Sequence, residues 1–196
     1  LRPLGIREEQ PRLRFVLHAQ EEAFARIYLQ HHRVPEGERL IALHPGGEGF
    51  GRRKRWPAER FVELGAALIE RHRAHIVVLG GPQEEELGEQ IAQRILRRSP
   101  DAAATVLNTA GRTTLRQAAA LIARCSAFVG NDSSLLHLAN TLGVPAVGIY
   151  GPSNPVHFRP FMPGALVVQP EDPYIPCFHF AGTDPLWRTW WYQLVP

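Results

Sequence analysis

Asn131-Asp132-Ser133-Ser134 stands between an apolar run, Ala127-Phe128-Val129, and a helical pattern over 135–142 that stops at Gly143. Asp132, Ser133, Ser134 and the free N–H groups of the helix start would sit beyond the carboxyl end of the strand, where ligands of such sheets bind. The plain alternative is helix capping, for which one such residue suffices. Lys54 is the single lysine beside 21 arginines, placed between a glycine-rich stretch and a helix start. A compact, flexible ammonium there suits a phosphate as a point-charge partner. Its neighbours Arg52, Arg53 and Arg55 read as a solvated basic turn. The stretch 44–51, HPGGEGFG, supplies backbone that can approach a ligand closely, with Gly46 and Gly47 at its head. Glu84 falls in the first turn of a helix after a strand, where a carboxylate accepts from ribose hydroxyls or simply faces water. His137 lies one turn into the helix over 135–142 and reads as packed or hydrogen-bonded, since no nucleophile with its own base can be assigned around it.

These residues need a scaffold, and the periodicity supplies one. Residues 13–17, 40–43, 76–79, 106–107, 127–129, 146–150 and 166–168 are strand candidates. Helical patterns over 21–31, 57–72, 83–98, 115–124 and 135–142 alternate with them. Ala23, Phe24, Ile27 and Tyr28 mark the apolar face of the first helix, and Phe61, Leu64, Leu68 and Ile69 that of the second. Thr113 or Thr114 caps the helix over 115–124. Alternation of this kind means βαβ units: a Rossmann-like parallel sheet with helices on both faces, whose ligands bind beyond the carboxyl ends of the strands. From Glu171 onward the pattern stops in a tail of prolines and aromatics, which is expected to pack back on this domain or on another.

Composition bounds the function. The chain has 196 residues, 44% apolar and 21% charged, with a formal net charge of +3. That permits a polyanionic partner without requiring one, and no nucleic-acid partner is expected. No apolar run is long enough to span a membrane, and the first residues lack a signal-peptide pattern. Two unclustered cysteines, Cys125 and Cys177, point to a reducing, cytoplasmic compartment, with Cys125 in the core. The nine histidines form no metal pattern. Neither a G-x-G-x-x-G turn nor a G-x-x-x-x-G-K-[ST] loop is present, so neither a dinucleotide fingerprint nor a P-loop is supported, and no cofactor is implied.

Taken together, HPGG at 44–47, KRWP at 54–57, VVLGGPQEE at 77–85, LNTAGRTTL at 107–115 and FVGNDSSLLHLANTLGVPAVGIYGPSNP at 128–155 resemble glycosyltransferase family 9, the ADP-heptose:lipopolysaccharide heptosyltransferases. The resemblance implies the C-terminal half of a GT-B enzyme, whose C-terminal domain binds the nucleotide-sugar while an N-terminal domain holds the acceptor and a catalytic carboxylate. Residues 1–35 would then be an interdomain linker with a first strand–helix unit, 36–170 the nucleotide-sugar domain and 171–196 the tail. Position by position, Lys54 resembles the lysine on the donor phosphates and Glu84 the acid on the ribose. Thr113 falls where backbone meets adenine. Asp132, Ser133 and Ser134 fall where the family's D-[ST]-G meets diphosphate and sugar, and His137 matches its histidine. Lys54 and Asp132 are the catalytic candidates, with the base expected on the N-terminal domain. Ser134 departs from the family's glycine, which bears on the identity of the sugar. The implied reaction is metal-independent, inverting transfer of a heptose from ADP-heptose to the lipopolysaccharide core, in the cytoplasm at the inner face of the membrane where a lipid-linked acceptor lies. This chain alone would be inactive. Transfer of another nucleotide-activated sugar, or a non-catalytic nucleotide-binding module, are the alternatives.

Overall fold

A computed structural model describes residues 12–47, 54–100 and 104–171. Six parallel strands form one sheet in the order β3-β2-β1-β4-β5-β6. They are β1 (Leu40–His44), β2 (His75–Val78), β3 (Val106–Asn108), β4 (Ala127–Asn131), β5 (Ala146–Ile149) and β6 (Ala165–Val168). The helices are α1 (Ala19–His31), α2 (Ala58–His72), α3 (Glu85–Arg98), α4 (Leu115–Ile122), α5 (Ser134–Thr141) and the short α6 (Pro155–Phe158), with a 3-10 turn, Pro82–Glu84, leading into α3.

The central strands are apolar at consecutive positions because both of their faces are covered. Leu40 and Ala42 of β1, with Val77 of β2, enter a core shared with α1, α4 and α5. Ile41 and Leu43, with Ile76 and Val78, enter the opposite core with α2 and α3. Cys125 is buried in the first of these cores, and burial pushes its thiol pKa up, as befits an inert core residue. On α2 the inward face is Phe61, Val62, Gly65, Ala66 and Ile69, with Leu64 and Leu68 flanking it. Thr114, not Thr113, caps α4: its hydroxyl accepts from Gln117 N–H (3.2 Å), while the Gln117 side chain accepts from Thr114 N–H (2.9 Å). Gly143 ends α5 at φ +79°.

Two expectations at the start of the chain are corrected. No strand forms over residues 13–17, which run extended along α4. Arg116 of α4 donates to Val16 O (2.9 Å) and lies over the Phe15 ring, so a side chain satisfies backbone that a sheet neighbour would otherwise take. On α1 Phe24 and Tyr28 pack against the core as expected, but the buried positions are Glu21, Ala25 and Leu29, and Ile27 is 57% exposed. Glu21 is inward because Arg116 reaches it at 2.7 Å, tying α1 to α4. The stretch 48–53, including Arg52 and Arg53, and the aromatic tail with Cys177 lie outside the described residues.

The strand order places a crossover reversal between β1 and β4: the chain leaves β1 toward β2 and β3, then returns on the other side of β1 as β4. At such a switch point the loops after neighbouring strands diverge and leave a crevice beyond their carboxyl ends. His44 closes β1 there and pairs in register with Gly130, just before Asn131 and Asp132.

Candidate functional site

A cleft of about 530 Å³ opens at this switch point, lined by His44, Gly47, Gly80, Gly81, Glu84, Thr113, Asp132, Ser133 and Ser134 among others. That volume falls within the range of small-molecule sites. A smaller cavity of about 50 Å³ lies at the other end of the sheet, between the end of α1 and the turn at Gly37.

Lys54 and Asp132 meet across 78 positions of sequence, with Lys54 Nζ 2.7 Å from Asp132 Oδ2. The Asp132 side chain lines the cleft and is 6% exposed; that of Lys54 is 21% exposed and is not among the cleft-lining residues. Its ammonium also lies 5.5 Å from the centroid of the Phe158 ring. Beside this pair α5 begins. Ser133 occupies the N-cap position in extended backbone, yet its side chain makes no capping bond. Leu136 N–H already donates to Ser133 O (3.2 Å), which leaves the N–H groups of Ser134 and Leu135, with no carbonyl behind them in the helix, available to an anion. Ser134 is exposed at the rim.

Asn131 serves the scaffold. It is 1% exposed, accepts from Trp56 N–H (2.8 Å) and donates to Pro45 O and Gly46 O (3.0 Å each). One side chain thus sutures the loop after β1 to the end of β4 and fixes the approach of Lys54. Gly46 is buried in that suture and is not among the cleft-lining residues. A Cβ on it would sit within 2.4 Å of the Glu84 carboxylate, so glycine is required for that packing. Gly47 does reach the cleft, at φ +144°.

Glu84 lines the cleft from the far side but is 4% exposed. Its Oε1 accepts from Gly47 N–H and from Arg55 (3.3 Å), and its Oε2 accepts from Gly81 N–H (2.8 Å) and faces His44 Nε2 at 3.5 Å. Burial raises the carboxyl pKa, but the His44 contact and the two backbone N–H bonds outweigh it and hold the group at about 2. Glu84 therefore staples the loop after β1 to the loop after β2. Arg55 is part of the same staple, donating also to Gly47 O (3.0 Å), rather than a solvated turn residue. Thr113 lines the cleft, its hydroxyl donating to Thr109 O (3.3 Å). His137 is half-buried on α5 and does not line the cleft.

The sequence reading passed over two residues, His44 and Asn131, as site-builders. The only signal was their place at the ends of adjacent parallel strands, since their contacts lie 40 to 89 positions away.

A parallel sheet in this order with a cleft at its switch point defines a Rossmann-like nucleotide-binding domain. The family model "Glycosyltransferase family 9 (heptosyltransferase)" matches residues 2–185, and the chain belongs to that family. It is 36% identical over 134 residues to the lipooligosaccharide heptosyltransferase 2 of Haemophilus influenzae, covering 68% of this chain and 37% of that protein. The structure of the E. coli ADP-heptose lipopolysaccharide heptosyltransferase II superposes with a TM-score of 0.68 at 32% identity, over 82% of this chain and 47% of that one. A family 9 glycosyltransferase from Veillonella parvula gives a TM-score of 0.71 at 27% identity, over 86% and 46%. The chain thus spans between a third and a half of the length of the relatives it matches, and corresponds to the C-terminal domain of a GT-B architecture.

Proposed function

We propose that this chain is the donor-binding domain of an inverting glycosyltransferase that moves a heptose from ADP-heptose to a lipopolysaccharide core. The observation that carries the reading is the open start of α5 at the cleft of the β1/β4 switch point, with Asp132 lining the cleft and Lys54 paired to Asp132. The names of the heptosyltransferase relatives, one of them an ADP-heptose enzyme, supply the donor.

In this reading Lys54 and the first N–H groups of α5 receive the diphosphate, with Asp132 fixing where the ammonium stands. Glu84 meets the ribose hydroxyls while keeping its backbone bonds, and backbone at Thr113 meets the adenine. An acceptor hydroxyl oxygen attacks the anomeric carbon and gives its proton to a base on an N-terminal domain. The bond from that carbon to the β-phosphate oxygen breaks, and ADP leaves with the electron pair. Its developing charge falls on Lys54 and the helix N–H groups, fixed dipoles that need no reorganisation. No divalent cation is required by this arrangement. The lipid-linked acceptor would place the enzyme at the inner membrane face; among the described residues no helix is long and apolar enough to cross a membrane.

Calorimetric titration tests the reading. ADP-heptose is expected to bind at least about tenfold more tightly than a UDP-hexose, a gap of about 1.4 kcal/mol, and equally well with a chelator present. Equal affinity for the two donors would refute the proposed donor, and loss of binding on chelation would refute the metal-free arrangement.

A further inference from the structure

We propose that His44 is a positioning residue that keeps the start of α5 open to the donor by holding the Ser133 hydroxyl away from the helix it would otherwise cap. The inference rests on the reading of the cleft as a diphosphate site. Serine is among the strongest N-cap types, and Ser133 stands at the N-cap with the extended backbone that caps adopt, φ −155° and ψ 165°. It nevertheless makes no capping bond. Elsewhere in the chain such residues do cap: Thr114 accepts from Gln117 N–H, and Asn154 accepts from Val156 N–H.

The difference at Ser133 is a competitor. His44 Nδ1 lies 3.0 Å from Ser133 Oγ. Its other nitrogen, Nε2, faces the ionised Glu84 carboxylate at 3.5 Å, long for a hydrogen bond but close for an electrostatic contact. A carboxylate only accepts, so Nε2 carries the proton and Nδ1 is left to accept from the Ser133 hydroxyl. The ring is itself seated firmly. His44 is 4% exposed, lies beside Phe128 and stands opposite Gly130, where a Cβ would come within 3.0 Å of His44 Cβ and 3.1 Å of His44 O. Glu84 orients the imidazole and the imidazole takes the hydroxyl; Leu136 N–H is taken by Ser133 O (3.2 Å), so the N–H kept open beside the cleft is that of Leu135.

Take away the acceptor at Nδ1 and Ser133 becomes free to cap, in competition with the diphosphate. His44→Gln places an amide near the Nε2 position and none near Nδ1; His44→Asn does the reverse. ADP and adenosine are titrated calorimetrically against the wild type, both variants and His44→Gln/Ser133→Ala. His44→Gln is expected to weaken ADP about three- to tenfold, the scale of one cap, with adenosine unmoved. His44→Asn is expected to recover part of that loss, and adding Ser133→Ala to His44→Gln to recover most of it. A double variant no better than His44→Gln, or equal losses of ADP and adenosine, would overturn the proposal and leave His44 a packing residue. The wild type supplies a test free of any folding defect: ring nitrogen NMR of His44 should show the Nε2–H tautomer, and the Nδ1–H tautomer would overturn the proposal. A wild type that binds no ADP would instead refute the reading of the cleft itself, whatever the tautomer.

Discussion

Lys54 is tied to Asp132, which lines the cleft, and in the proposed reading its ammonium also meets the diphosphate, so Lys54→Ala removes both contacts. ADP affinity is expected to fall by about 1–3 kcal/mol, the scale of a charge-assisted hydrogen bond, while adenosine affinity hardly moves. The same variant leaves the Asp132 carboxylate enclosed without its cation, so the melting temperature should also drop. Calorimetry and a thermal melt read the two effects separately, and unchanged ADP affinity would remove Lys54 from the phosphate role. Ser134 gives a different test. Its side chain is exposed at the rim, whereas the N–H groups of α5 belong to the backbone. Ser134→Gly should therefore shift affinity for ADP-heptose more than affinity for ADP; a larger effect on ADP would make the hydroxyl a phosphate ligand. Lys54, Asp132, Ser133 and Ser134 were legible in the sequence because each is local: a lone lysine at a helix start, polar residues between a strand and a helix. His44 was not, because its work depends on Ser133, 89 positions on, and on which of its nitrogens faces Glu84.

The elements are joined by two enclosed carboxylates, and these set the response to acid. Glu84 staples the loops after β1 and β2, and Glu21 ties α1 to α4 through Arg116. The Arg116 hydrogen bond is the main reason the Glu21 pKa sits at about 2, against an ordinary 4.5. Glu84 is held equally low against the same 4.5. Both are depressed in the folded chain, so the stability they contribute is fully present above about pH 4.5 and is lost as pH falls toward 2. For Glu84 that amounts to at most about 3 kcal/mol. Urea melts from pH 7 to pH 2 should show stability falling across that window. Glu84→Gln should be less stable at pH 7 and shallower below pH 4.5; an unchanged slope would mean the staple carries no charge-dependent energy. All six strands and the five long helices were legible from alternation and periodicity. The strand expected over 13–17 was not there, since alternation in LRFVL reports an extended, half-covered segment without saying what covers it. On α1 the inward turn of Glu21, and with it the exposure of Ile27, depends on Arg116, 95 positions away.

At the scale of the whole molecule, the described residues form one sheet whose two ends differ. Charged and polar side chains at the ends of β1 and β4 and around the starts of α3, α4 and α5 converge on the cleft at the carboxyl ends of the strands. The helices end, and the next strands begin, at the other end. A nucleoside diphosphate is expected to enter at the first of these ends. Amide chemical shifts followed during an ADP titration test it most directly. Saturable shifts should gather at Gly47, Gly81, Thr113–Leu115 and Asp132–Leu135, around the cleft. Shifts gathered instead around Val34–Glu38, at the opposite end of the sheet, or none that saturate, would contradict it.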